Sequence, residues 1–249
     1  IITRIKNNSN KLGFRINGAS FSIENEENLV VKAIKLFEKK IGKKIYLDVT
    51  LEKRIPSGAG LGGGSGNAAG TLCALNYIFR DSPSSKGLLS HRKLSELAIE
   101  LGSDVPFFLE PVPSEIFGRG DKLRKFKKYP KFFVIIIKPS FSISTSEAYK
   151  KCYSQEKLTF PVINSLDDFK IHMSNEFEKS LLNQYPILSE IKSLLVKNGA
   201  FGALVSGSGS AVFGAFKEKT IQYQAYKKIA CLQMGDIFSC ETLSNHYYF

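Results

Sequence analysis

No run of about 20 apolar residues, the length needed to cross a bilayer, occurs anywhere in this 249-residue chain. Its opening residues also lack the charged, apolar and small-residue succession of a secretion signal. The four cysteines, Cys73, Cys152, Cys231 and Cys240, stand far apart and form no C-x-x-C pair. That spacing argues against a zinc ribbon or a disulfide framework and for reduced thiols. The three histidines, His91, His172 and His246, have no metal-ligand spacing. No internal repeat or low-complexity tract marks a solenoid or a linker-rich protein.

What is abundant is positive charge. Lys and Arg total 35 against 23 Asp and Glu, giving a net charge of +12. Such a balance favours anionic partners such as nucleotides and phosphorylated metabolites. The charge is scattered rather than blocked, which argues against a nucleic-acid surface. A hydrophobic content of 43% supports one large domain or two smaller ones with real cores.

Periodicity divides the chain into alternating strands and helices. Residues 1–23 read as short strands with a turn at Asn7-Asn8-Ser9-Asn10. A helix with an acidic start at Glu24 to Asn28 carries Leu29, Ala33, Leu36 and Phe37 on one face and stops at Gly42. From Lys44 to Lys53 the text alternates strictly, with Ile45, Leu47, Val49 and Leu51 on one side: a strand with one buried face. A helix with Ala68, Leu72, Leu75 and Phe79 on one face comes after a glycine-rich loop. A polar loop at Asp81 to Lys86 and a helix from Ser90 to Leu101 follow. Phe132 to Ile137 reads as a buried strand, and a domain junction is expected near Pro139. The final third reads as a helix over 187–196, strands over 203–205 and 211–216, a helix over 222–232 and a strand over 237–243. The class expected from this alternation is α+β.

The chemistry concentrates in Lys53-Arg54-Ile55-Pro56-Ser57-Gly58-Ala59-Gly60-Leu61-Gly62-Gly63-Gly64-Ser65-Gly66-Asn67. Glycines let phosphate oxygens approach backbone N–H groups, and a following helix offers unpaired N–H groups and the positive end of its dipole. Ser65 and Asn67 are placed to cap that helix or to reach a phosphate or its metal. Gly58, Gly60 and Gly63 satisfy G-x-G-x-x-G, but a dinucleotide fold calls for a preceding strand that is apolar on both faces, and this one alternates. A P-loop calls for Gly-Lys-Ser or Gly-Lys-Thr, and the loop contains no lysine.

The loop instead resembles the P-x-G-x-G-L-G-G-S pattern of the galactokinase, homoserine kinase, mevalonate kinase and phosphomevalonate kinase superfamily. Within it, the triple glycine Gly62-Gly63-Gly64 is similar to the diphosphocytidyl-methylerythritol kinase branch. Further text agrees in order: Glu27-Asn28-Leu29-Val30, Leu101-Gly102-Ser103-Asp104-Val105-Pro106-Phe107-Phe108, Gly118-Arg119-Gly120-Asp121-Lys122-Leu123, Pro139 to Tyr149, and Ser206-Gly207-Ser208-Gly209-Ser210.

The resemblance implies a two-domain small-molecule kinase with its active site in the cleft between domains. Residues 1–138 would form the ATP-binding domain and 139–249 the C-terminal domain. It implies transfer of the γ-phosphoryl of ATP to the 2-hydroxyl of 4-diphosphocytidyl-2-C-methyl-D-erythritol in the non-mevalonate route to isoprenoids. Asn28, Leu29 and Lys53 would lie near adenine. Pro56, Gly58, Gly60, Leu61, Gly62, Gly63, Gly64, Ser65, Gly66 and Asn67 would hold the phosphates, with Ser65 also toward Mg²⁺. Ser208 and Gly209 would close over them, Asp104 would be the catalytic aspartate, and Thr145 and Tyr149 would meet the cytidyl half of the substrate. The implied setting is cytoplasmic, or plastid if a transit peptide is missing, with the chain a monomer or homodimer and with no nucleic-acid or membrane partner. Other readings are another kinase of the superfamily, or a nucleotide-binding protein without transfer activity.

Two departures stand out. Gly66 occupies a position where the family usually carries Ser. The family's opening A-K-I-N-L strand, whose lysine assists the aspartate, and its G-Y-H motif do not occur here, and Lys6 and Lys11 stand in a different context. The expectation is that the chain is a fragment of a longer protein, and that loss of the first strand leaves a sheet edge unpaired.

Overall fold

The computed structural model describes residues 2–7, 13–17, 27–80, 89–126, 130–150 and 165–243. The turn expected at 8–10, the acidic helix start at 24–26, Lys11, the loop at 81–86, Cys152 and His246 lie outside the described residues. The chain divides into two compact units, Ile1–Pro56 with Gly62–Phe126, and Ser57–Leu61 with Lys127–Asn245. The architecture is α+β in each.

In the first unit, β1 (Ile2–Asn7), β2 (Gly13–Asn17) and β3 (Leu47–Glu52) form a sheet in the order β1-β3-β2. β1 runs antiparallel to β3 and β2 parallel to it. β3 realises the alternation in the sequence: Leu47, Val49 and Leu51 are buried, while Asp48 faces solvent. Three helices supply the other layer: α1 (Leu29–Ile41), α2 (Gly63–Ile78) and α3 (His91–Leu101). α1 begins because the Asn28 side chain accepts a hydrogen bond from the N–H of Val30 at 2.9 Å. It ends at Gly42, with Lys39 and Lys40 set against the negative end of its dipole. Ser90 caps α3 through the N–H of Lys93. Ile34, Phe37, Leu51, Leu72, Leu75, Leu97 and Val105 meet in one core. Burying each such side chain contributes roughly 1.5–3 kcal/mol. A 3₁₀ turn over Pro106–Leu109 leads to a hairpin of β4 (Ser114–Phe117) and β5 (Lys122–Lys125). Glu115 and Arg124 face each other across it and form an ion pair.

The second unit is built on an antiparallel sheet in the order β7-β8-β6-β9, from β6 (Phe133–Lys138), β7 (Gly202–Val205), β8 (Val212–Phe216) and β9 (Asp236–Glu241). The apolar run ending at Ile137 is therefore an inner strand, with β8 on one side and β9 on the other. β6 is bonded into this sheet and so falls within the second unit. The helices are α4 (Thr145–Lys150), α5 (Leu166–His172), α6 (Glu178–Gln184), α7 (Pro186–Lys197) and α8 (Lys219–Ala230). α7 and α8 follow the expected periodicity, and Leu188, Ile191, Leu195 and Ile229 pack with Ile135, Ile137 and Phe216. α4, α5 and α6 carry no such signal, because each is only six or seven residues long, too short to display a helical period. Gln222 of α8 is buried, and its amide donates to the carbonyls of Val134 and Cys240, both at 2.8 Å, binding helix to sheet.

Candidate functional site

Within the first unit, Gly63 to Asn67 form the start of α2, with Gly62 as its N-cap. Gly66 N donates to Gly62 O at 2.9 Å as the helix's first turn closes. The N–H groups of Gly63, Gly64 and Ser65 therefore have no intrahelical acceptor. No side chain caps this end and no acidic residue lies in its first turn. The result is an uncompensated positive helix end with small residues around it, an arrangement suited to anionic oxygens. The Ser65 hydroxyl and Asn67 amide make no hydrogen bond among the described residues, while Asn67 O accepts from the Thr71 hydroxyl at 2.7 Å. A Cβ placed on Gly64 would lie 3.5 Å from Leu29 Cδ1, so the α1 start, with Asn28 buried as its cap, adjoins the glycine run. Lys53 leaves β3 half-buried, and that burial lowers its pKa. Neighbouring Arg54 takes Glu52 at 3.0 Å, and Lys53 has no ion-pair partner among the described residues. Pro56, also half-buried, ends this stretch of the unit.

Asp104 stands on an exposed turn before the 3₁₀ segment. The N-cap position there belongs to Val105, with Pro106 next, so the Asp104 carboxylate is not used as a cap. It makes no hydrogen bond or ion pair among the described residues. Two contacts fix the turn. A Cβ on Gly62 would meet Phe108 Cζ at 2.6 Å, and one on Gly66 would meet Phe108 Cδ1 at 3.4 Å, so the Phe108 ring lies against the α2 start. A Cβ on Gly120 would lie 1.8 Å from Ser103 O, so the turn after β4 presses against the residue next to Asp104. Asp121 closes that turn by accepting from the Arg119 N–H at 2.9 Å, a bond that holds its carboxyl below the usual range.

Within the second unit, residues 57–61 are bound to the Ser206–Ala211 turn. Ser210 N donates to Gly58 O at 3.2 Å, Ala211 N to Ala59 O at 3.1 Å and the Ser206 hydroxyl to Gly60 O at 2.9 Å. Gly60 has φ +70, and a Cβ there would lie 1.9 Å from Ser206 O. No other residue fits both conditions. Leu61 follows, half-buried. Ser208 is buried and shares a hydrogen bond of 3.1 Å with the Thr145 hydroxyl, so these two expected residues touch. Gly209 N donates to Ser206 O at 2.9 Å. Tyr149, one turn further along α4 from Thr145, is 62% exposed and lies edge-on to Phe177 at 5.0 Å between ring centres. Asn175 donates from its amide to Val205 O and Gly207 O, both at 2.8 Å.

Sequence reasoning singled out neither Phe108, Ser142, Asn175, Phe177 nor Ser210 by role. Phe108, Ser142 and Ser210 sit inside stretches that were legible as motifs. Asn175 and Phe177 carry no local signal. Among the described residues no group of three His, Cys, Asp or Glu side chains could hold a metal ion, and no helix is long and apolar enough to cross a membrane.

Known proteins resemble this chain in sequence and in fold. The GHMP kinases N terminal domain matches residues 28–110, and the GHMP kinases C terminal domain matches 159–234. A mevalonate kinase from Methanococcus jannaschii shares the fold, with TM-score 0.66 at 18% identity over 96% of this chain and 87% of that one. The chain is thus a small-molecule kinase of the GHMP class. A crystal structure of 4-(cytidine 5'-diphospho)-2C-methyl-D-erythritol kinase superposes with TM-score 0.76 and 28% identity, over 96% of this chain and 84% of that one. The 4-diphosphocytidyl-2-C-methyl-D-erythritol kinase of Thermodesulfovibrio yellowstonii is 40% identical over 82% of this chain and 74% of its own length. That of Bacteroides fragilis is 37% identical over 93% and 84%. The chain belongs to the 4-diphosphocytidyl-2-C-methyl-D-erythritol kinase family.

Proposed function

We propose that this chain transfers the γ-phosphoryl group of ATP to the 2-hydroxyl of 4-diphosphocytidyl-2-C-methyl-D-erythritol, a step of the non-mevalonate route to isoprenoids. The observation that carries the reading is the bare N-terminus of α2, whose unpaired N–H groups follow the glycine run in a chain 40% identical to a kinase of that name. In this reading Gly58 to Asn67 hold the phosphates, and Asn28, Leu29 and Lys53 border the base. Ser208 and Gly209 close the phosphate site. Thr145 and Tyr149 receive the cytidyl half, where an exposed tyrosine ring offers a face for stacking. Asp104, with its carboxylate uncommitted, orients the hydroxyl and accepts its proton as the new O–P bond forms and the bond from the γ-phosphorus to the bridging oxygen of ADP breaks.

Mg²⁺ would supply charge neutralisation at the phosphates. With no cluster of three acidic or His/Cys ligands among the described residues, it would be held chiefly by the phosphates themselves, with the Ser65 hydroxyl as a protein contact. We place the protein in the cytoplasm, as a monomer or homodimer, acting on a small anionic substrate that its net charge of +12 favours. ATP consumption dependent on the cytidyl substrate tests the proposal. Nucleotide binding with no transfer to that substrate would overturn it.

A further inference from the structure

Lys138 is the last residue of β6 and is only 5% exposed, an unusual place for an ammonium group. No carboxylate pairs with it directly among the described residues. Its Nζ instead donates to two backbone carbonyls, Pro139 O and Phe141 O, each at 2.7 Å. The Phe141 carbonyl accepts a second bond, from the Ser210 hydroxyl at 2.6 Å. Ser210 is fully buried, and its own N–H donates to Gly58 O at 3.2 Å. The next residue along, Ser142, donates from its hydroxyl to Ser57 O at 3.4 Å, and a Cβ on Gly58 would meet the Ser142 Cβ at 2.6 Å. On its other side Phe141 stacks on Tyr185 with ring centres 5.0 Å apart. One unbroken path of hydrogen bonds therefore runs from the Lys138 ammonium through Phe141 O and Ser210 to Gly58.

An aliphatic side chain of similar length would fill the same volume without the cost of burying a charge. That cost is visible in the ammonium itself. Burial lowers its pKa, and Asp236, its register partner on β9, acts in the opposite direction. What the ammonium provides that a methionine does not is a pair of charge-assisted donors holding the β6-to-α4 connection in place.

We propose that Lys138 is a positioning residue for nucleotide binding: by fixing the Phe141 carbonyl it orients Ser210, and through Ser210 it sets the place of the Ser57–Gly60 half of the glycine loop. The inference rests on the reading that this loop holds the phosphates of ATP. It makes Lys138 a determinant of ATP affinity that touches neither substrate.

The test is ATP binding by calorimetry and steady-state kinetics on the full chain and on Lys138→Met, Ser210→Ala and the double variant. Lys138→Met is expected to weaken ATP binding about tenfold, the scale of a lost charge-assisted hydrogen bond. KM for ATP should rise by a similar factor, with kcat and KM for the cytidyl substrate within about twofold. Ser210→Ala should move ATP affinity in the same direction. The double variant should lose less than the product of the two, because both groups act on one carbonyl. A lowered melting temperature with unchanged ATP affinity would overturn the proposal, and so would fully multiplicative losses. If Lys138→Met does not fold, Ser210→Ala decides alone: unchanged ATP affinity counts against the path. Absence of ATP binding in the unaltered chain would bring down the functional reading as well, whereas normal binding in both variants brings down this inference only.

Discussion

The two halves of the glycine run, 57–61 and 62–67, are both rich in glycine but are held in opposite ways. In the first half the backbone carbonyls are occupied: Gly58, Ala59 and Gly60 each accept a bond from the Ser206–Ala211 turn. In the second half the N–H groups of Gly63, Gly64 and Ser65 are left without an intrahelical acceptor at the start of α2, with neither a capping side chain nor an acidic neighbour. One half is a fixed strap and the other a row of donors. Their glycines differ accordingly. Gly60 is required because a carbonyl lies 1.9 Å from where its Cβ would be. Gly62 is required by φ +66 and by the Phe108 ring. Gly66 meets only an ordinary contact at 3.4 Å. A glycine-rich sequence is thus a mixture of steric demands and simple tolerance, and only the neighbours separate them.

Substitutions should sharpen or break that division. The largest effect is expected at Asp104, whose turn leans on the donor half through Phe108. Asp104→Asn should cut turnover by roughly 10²–10⁴-fold and leave ATP affinity unchanged in a binding titration. Turnover within threefold of the parent would remove Asp104 from the chemistry.

Gly60→Ala strikes the strap. It should destabilise the fold by about 1–3 kcal/mol in denaturant melts and weaken ATP binding at the same time. A stable variant with normal ATP affinity would show that the strap is not part of the nucleotide site. Tyr149→Ala comes next. KM for the cytidyl substrate should rise about tenfold, consistent with base stacking on the order of 1–3 kcal/mol, while KM for ATP stays put. Stability should barely change, because the ring is 62% exposed.

Gly66→Ala tests tolerance in the donor half. Replacing a helix glycine should stabilise α2 by roughly 0.5–1 kcal/mol, with ATP affinity kept. Loss of binding would place Gly66 among the positions where space is essential. The smallest effect is the pH dependence at Lys53. Its folded pKa lies below the ordinary 10.5, so as pH rises the folded chain releases this proton before the unfolded chain does. The cost of burying the charge is fully present at neutral pH and fades as pH climbs toward 10.5. Lys53→Met should therefore melt slightly higher than the parent at neutral pH, and the gap should narrow in alkaline buffer. A gap that widens with pH would contradict the desolvated ammonium.

Much of this was legible in the sequence. The alternation of Leu47, Val49 and Leu51 gave the buried face of β3, and Gly42 gave the end of α1. The order of the glycine run, the Asp104 stretch and the Ser206–Ser210 stretch pointed to the family. Less was legible wherever short elements or distant partners mattered. α4 to α6 are too brief to show a period. β6 could be read as buried, but not as bonded to β8 and β9, since its partners lie at 212–216 and 236–241.

Local text, then, determined most of the longer strands and helices and the class of kinase to which the chain belongs. Those properties follow from periodicity, capping and residue type, all of which act over a few neighbours. Tertiary structure alone decided how the glycine run is used: that its first half is tied to residues 206–211, that Phe108 backs its second half, and that a buried lysine at 138 stands behind the strap. Hydrogen bonds and steric exclusions between residues as much as 152 positions apart leave no pattern in local sequence, because the chain must fold before the groups that make them meet.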